Sequence, residues 1–127
     1  MGVTVARFVL DTNIILYFLG GRLADHFPAG AYAISVISEL ELLAYPGLVA
    51  SEEQRIRDFL ADVPITDLTP SVKLHAVNLR KRFGLKLPDA IVAATALALN
   101  AVLLTNDQRL LALSDVPTQA LRVKPQP

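Results

Sequence analysis

The sequence has no cysteine, no tryptophan, a single methionine and no excess of charge of either sign. Without cysteine there is neither a disulfide nor a thiolate metal site. Twelve Lys and Arg balance twelve Asp and Glu, for a formal net charge of zero. That balance excludes a polycationic nucleic-acid binder acting through bulk charge. If the chain handles RNA or DNA, a local basic patch or a bound cation must offset the phosphates. His26 and His75, the only histidines, are far apart and lack ligand spacing. No run of eighteen apolar residues occurs, so no membrane span is expected. The N-terminus lacks a charged segment followed by an apolar core, so no signal peptide is read. A soluble, cytoplasmic protein is the expectation.

The 127 residues are 53% hydrophobic, enough to bury a proper core. One domain over residues 1–123 is expected, followed by a loose tail over 124–127. Short apolar runs alternate with helical stretches. Strands are read at 5–10, 31–35, 63–66, 101–105 and, as a last edge strand, 119–123. Pro64 argues for an edge position or a strand start. Helices are read at 14–19, 38–45, 51–61, 70–83, 88–99 and 107–113, with a short helical piece at 22–27. Ser38 is read as the cap of its helix, with Glu41 at capping-box spacing. This alternation implies a three-layer α/β/α fold around a central, mostly parallel sheet of four or five strands. Helix 70–83 cannot be a plain crossover if the helix after it starts at the same sheet edge. It is expected to lie obliquely or to project.

Ligands of open parallel sheets bind outside the carboxyl ends of the strands. Asp11 follows the first strand, Glu41 is read in the first turn of the helix after the second, and Asp107 follows the strand at 101–105. Asp89 opens the helix that leads into that last strand, so it belongs at the same edge. Four carboxylates sharing one site raise each other's pKa unless a cation relieves them. Such a cluster fits a hard cation such as magnesium, and metal-assisted phosphodiester hydrolysis. The bland reading is that Asp11 and Asp107 cap their helices, Glu41 is the Ser38 capping-box partner and Asp89 suits its helix dipole. Glu39 competes with Glu41, but the two are separated by about 200° around a helix, so only one can face the site. Asp67 is read as peripheral. Thr12, Asn13, Ser38, Thr105 and Asn106 flank the acids and could position water or phosphate; turn and cap duties explain them equally well. Arg80, Lys81 and Arg82, with Lys73 and Lys86, could face an RNA backbone, or form a solvated helix end.

Four segments together resemble the PIN-domain nucleases, and most closely the VapC-type toxins of toxin–antitoxin pairs. They are FVLDTNIILYFL (8–19), ISVISELELLAYPGL (34–48), LRKRFGLKLPDAIVAATAL (79–97) and AVLLTNDQRLLAL (101–113). The resemblance carries the family's metal-binding and catalytic acids onto Asp11, Glu41, Asp89 and Asp107. The family's hydroxyl residue three before the glutamate falls on Ser38. It implies a Mg2+- or Mn2+-dependent endoribonuclease acting on RNA phosphodiesters, a homodimer and inhibition by a cognate antitoxin. No acid follows closely after Asp107 in DQRLL, so a fifth family-type ligand is absent there. Tyr17, Phe18, Leu19, Leu42, Leu43 and Tyr45 exceed what one sheet face requires. Part of that surface is read as a groove for an amphipathic antitoxin segment. Dimerisation is expected to use another face, involving helix 70–83.

Two other phosphoryl-handling folds do not fit. A receiver domain needs paired acids after its first strand and a lysine near its last strand end, but no lysine lies between residues 87 and 123. A dehalogenase-type phosphatase needs a second aspartate two residues after the first, where this chain has Asn13. A catalytically silent PIN-like module that binds RNA or protein is the alternative left open.

Overall fold

The computed structural model describes residues 5–125. Eleven elements occur among them. In chain order they are β1 (Arg7–Leu10), α1 (Thr12–Leu19), β2 (Ala31–Ser35), α2 (Val36–Leu43), α3 (Ala50–Asp62), β3 (Ile65–Thr66), α4 (Pro70–Phe83), α5 (Leu87–Ala98), β4 (Val102–Leu104), α6 (Gln108–Leu111) and β5 (Thr118–Gln119). The strands form one five-stranded sheet in the order β3-β2-β1-β4-β5, with every pairing parallel. The short β3 sits at one edge, directly after Pro64, as the proline requires.

The pleat divides the core in two. Val9 and Leu103 face one side and pack with α4 and α5; Phe8, Leu10 and Leu104 face the other and pack with α1, α2 and α3. Helix α5 is buried from Ala90 through Ala96, and its small side chains let it lie close to the sheet. Helix α4 packs principally on α5, burying Val72, Ala76 and Leu79. Gly84, at φ 66°, ends α4 in a left-handed turn that leads into α5. The expected excursion of 70–83 is therefore a second helix laid on the first.

Three local expectations are corrected. Residues 22–27 are not helical: Leu23 bridges Val123 in antiparallel register, and Asp25 pairs with Arg122. This long-range pairing uses the backbone of that segment; the amide of Ala24, for example, donates to the Arg122 carbonyl at 2.9 Å. Second, Ser35 rather than Ser38 caps α2, accepting from the Ile37 amide at 3.1 Å. Strand β2 passes into α2 with no loop, so Ser38 lies inside the helix and Glu41 beyond its first turn. No Ser38–Glu41 capping box forms. Third, the last edge strand is Thr118–Gln119, and Val123 makes only the isolated bridge. The tail read over 124–127 falls partly on Gln126 and Pro127, outside the described residues. Lys124 donates its amide to the Arg22 carbonyl at 2.7 Å. No helix among the described residues is long and apolar enough to cross a membrane.

Candidate metal and nuclease centre

The four acids arrive from four different elements. Asp11 ends β1 and caps α1, and its backbone amide donates to the Leu104 carbonyl of the neighbouring strand at 3.0 Å. Glu41 projects from α2. Asp89 lies in the first turn of α5. Asp107 caps α6, accepting from the amides of Arg109 at 2.8 Å and Leu110 at 3.3 Å. All four line one open cleft of about 370 Å3 outside the carboxyl ends of the strands, together with Thr12, Asn13, Leu16, Ala44, Tyr45 and Pro46. Glu39 is absent from that lining, so of the two glutamates it is Glu41 that α2 brings to the cleft.

Hydroxyl groups tie the acids together. Thr105, itself buried, donates to Asp11 Oδ2 at 2.8 Å and accepts from the Asp107 amide at 3.0 Å. The Thr12 amide donates to Asp11 Oδ1 at 2.9 Å. The Thr12 hydroxyl lies 2.7 Å from Glu41 Oε1 and 2.9 Å from Ser38 Oγ. Asp89 makes no side-chain hydrogen bond among the described residues. Asn106 faces elsewhere: both ends of its amide bond the Leu121 backbone, at 2.8 and 2.9 Å. It pins the C-terminal segment instead of serving the cleft.

The electrostatics follow from this crowding. Burial pushes the Asp11 carboxyl above its ordinary value. The Thr105 and Thr12 hydrogen bonds oppose that shift, and the fields of Asp89 and Asp107 add to it. Asp89 is also raised, first by burial and then by Asp107 and Glu41; Arg109 and Lys86 pull it back. The site is therefore short of positive charge.

Only oxygen donors line it, which is the chemistry of a hard divalent cation such as Mg2+ or Mn2+. The donor set fits that cation in type, charge and sheet-edge placement. As they stand, no three Asp, Glu or His side chains among the described residues are drawn together tightly enough to hold one ion.

Two features of the cleft go beyond what the sequence indicates. Leu16, Ala44 and Pro46 join Tyr45, one of the expected groove residues, in an apolar wall beside the acids. Arg109 adds a cation whose field reaches Asp89. The signal for Arg109 was present: it stands two residues after Asp107 in the first turn of a helix. Of the basic residues flagged for RNA, Lys86 is the one whose field reaches Asp89. Arg82 is instead paired with Asp115 at 2.6 Å.

The architecture is shared with known proteins. A chain of VapBC2 from Rickettsia felis, bound to a DNA fragment from its promoter, superposes with a TM-score of 0.74 at 20% identity, covering 90% of this chain and 98% of that one. A toxin–antitoxin complex from Klebsiella pneumoniae contains a chain 31% identical to this one, with a TM-score of 0.64, covering 82% of this chain and 89% of that one. VapBC-5 from Mycobacterium tuberculosis, of the VapBC family of toxin–antitoxin systems, gives a TM-score of 0.71 at 19% identity over 93% of this chain and 99% of that one. Among curated proteins, none matches this sequence. The sequence pattern of the PIN domain matches residues 8–116. That span takes in all four acids, β2, β3, β4 and all of β1 but Arg7, so the chain belongs to the PIN domain family.

Proposed function

We propose that this protein is a divalent-metal-dependent endoribonuclease and the toxin of a type II toxin–antitoxin pair. The observation that carries the reading is the convergence of Asp11, Glu41, Asp89 and Asp107 on one cleft from four elements distant in sequence. The likeness to a chain of the Klebsiella pneumoniae toxin–antitoxin complex supports the toxin assignment. Asp11, Asp89, Asp107 and Glu41 would hold Mg2+ or Mn2+. Bound there, such an ion supplies a Lewis acid for the phosphate and a more acidic water.

The chain's own residues supply the rest. Thr105 and Thr12 hold Asp11 in one orientation and favour its ionised form. Lys86 and Arg109 stand beside Asp89 on the exposed rim, where an RNA backbone approaching the acids would meet positive charge first. Neither makes a side-chain salt bridge among the described residues. Arg109→Ala and Lys86→Ala are expected to raise KM severalfold, with little change in kcat, and to flatten the dependence of KM on salt. Steady-state kinetics at two ionic strengths checks this. An unchanged KM in both variants would remove these residues from the substrate path.

A cognate antitoxin is the second proposed partner. Leu42 is fully buried and belongs to the core, but Phe18, Leu43 and Tyr45 are 45%, 42% and 47% exposed. Tyr45 reaches the acid cleft itself. An amphipathic antitoxin segment lying there would cover the acids and compete with RNA. Leu43→Asp is expected to weaken antitoxin binding at least tenfold while leaving the melting temperature within a few degrees; wild-type affinity would rule this surface out. A homodimer, with α4 in its interface, completes the proposal.

The nuclease reading itself is tested by incubating purified protein with end-labelled RNA. Internal cuts are expected with Mg2+ or Mn2+, none with chelator, and none from Asp107→Asn. Intact RNA under every metal condition would favour a silent binding module.

A further inference from the structure

The Thr12 hydroxyl has two oxygen neighbours and one proton to give. Glu41 Oε1 lies at 2.7 Å and Ser38 Oγ at 2.9 Å. An ionised carboxylate only accepts, whereas a hydroxyl both donates and accepts. If Thr12 gave its proton to Ser38, Glu41 would face a bare lone pair at 2.7 Å. The proton therefore goes to Glu41, and Ser38 must donate to Thr12. The shorter contact is the charge-assisted one, as this order requires.

We infer that Ser38 is a positioning residue for Glu41, acting through the Thr12 hydroxyl. Ser38 is completely buried inside α2, and Thr12 is its hydroxyl's partner among the described residues. A buried hydroxyl is costly without a partner, and Thr12 supplies that partner. Ser38 and Glu41, three residues apart on α2, share one helix face. Glu41 is exposed and has a long side chain that loses rotamer freedom when fixed. The Ser38–Thr12 chain holds it toward the cleft. The Thr12 amide also holds Asp11 at 2.9 Å, so one residue sets the relation between the acid of β1 and the acid of α2.

The consequence for catalysis rests on the nuclease reading, but the positioning can be measured without RNA or metal. In metal-free protein, 13C relaxation of the Glu41 side chain should report an ordered carboxylate. Ser38→Ala and Thr12→Val should each make it mobile, and Thr12→Ser, which keeps the hydroxyl, should restore the order. Circular dichroism and thermal melts check that each variant folds. Calorimetry with Mn2+ should then show affinity falling about 10- to 100-fold in Ser38→Ala, the range found when outer partners of metal ligands are removed. In a Glu41→Gln background Ser38→Ala should have no further effect on that affinity.

Equal Glu41 mobility in wild type and Ser38→Ala overturns the inference. So does an equal loss of Mn2+ affinity in both backgrounds, which would mean a general structural role. A wild type with ordered Glu41 but no Mn2+ binding would instead uphold the positioning and sink the nuclease reading.

Discussion

Asp89→Asn is expected to reduce RNA cleavage by about 1,000-fold or more while making the metal-free protein more stable at neutral pH. The two effects have one cause. The Asp89 carboxyl is raised above its ordinary value by burial, then by the fields of Asp107 and Glu41, so its charged form is unfavourable without a cation. The amide keeps the shape and removes the charge. Asp89 makes no side-chain hydrogen bond among the described residues, so the amide breaks none; it gives up the attraction of Arg109 and Lys86, which burial and the neighbouring acids outweigh. Activity falls because a charged ligand of the proposed metal disappears. Metal stabilisation of developing charge amounts to several kcal/mol, and each 1.36 kcal/mol is tenfold in rate. Asp11→Asn should be as inactive but gain less stability. Its carboxylate accepts from Thr12 and Thr105 on separate oxygens, and an amide replaces one of those acceptors with a donor. Turnover assays and melts in chelator test the pair. An Asp89→Asn variant that cleaves RNA normally, or melts lower than wild type, would show that Asp89 serves the α5 dipole and nothing more.

The second large effect is on pH and metal together. Asp11 and Asp89 both have folded pKa values raised above the unfolded value of 3.8. The native state therefore binds more protons there than the unfolded chain does. The stability these groups contribute is fully present below 3.8 and is lost as pH rises through their folded pKa values. Asp25, held down by its hydrogen bonds to Arg122, has the opposite sign, but it is common to wild type and to variants of the cleft. The difference between wild type and Asp89→Asn thus isolates the cleft. In chelator, wild type should lose stability relative to the variant on moving from about pH 4 to pH 7. With Mn2+ the order should reverse, because the metal binds the ionised carboxylates. At 100 times its Kd the ion should stabilise wild type by about 2.7 kcal/mol. Melting curves across pH that stay parallel with and without Mn2+ would contradict a metal site in the cleft.

The legible part of this site was the part written in short-range chemistry. Asp11 and Asp107 stand where apolar strands end, and both cap helices; the same residues are placed at the sheet edge by topology. Asp89 follows because α5 must feed β4. The Ser38–Glu41 spacing was misread as a cap because a capping box and a shared helix face have the same sequence separation. Only the position of the helix start distinguishes them, and two serines three residues apart offer the same cap; β2 runs straight into α2, so the earlier one, Ser35, takes it. The segment 22–27 and the amide of Asn106 escaped for a different reason. Their partners, the Leu23–Val123 bridge and the Leu121 backbone, lie far along the chain and leave no periodic signal. In the apolar wall, Tyr45 was legible as surplus apolar surface, whereas Leu16 belongs to a helix that is apolar all round, so nothing local marks which of its side chains reaches the acids.

Asp11, Glu41, Asp89 and Asp107 are proposed to form a single divalent-metal centre. Anomalous scattering from crystals grown with Mn2+ tests it most directly. A peak is expected in the cleft, within coordination distance of oxygens from at least two of Asp11, Glu41, Asp89 and Asp107. RNA cleavage by the same preparation with a Mn2+ peak elsewhere, or with none at all, would contradict it.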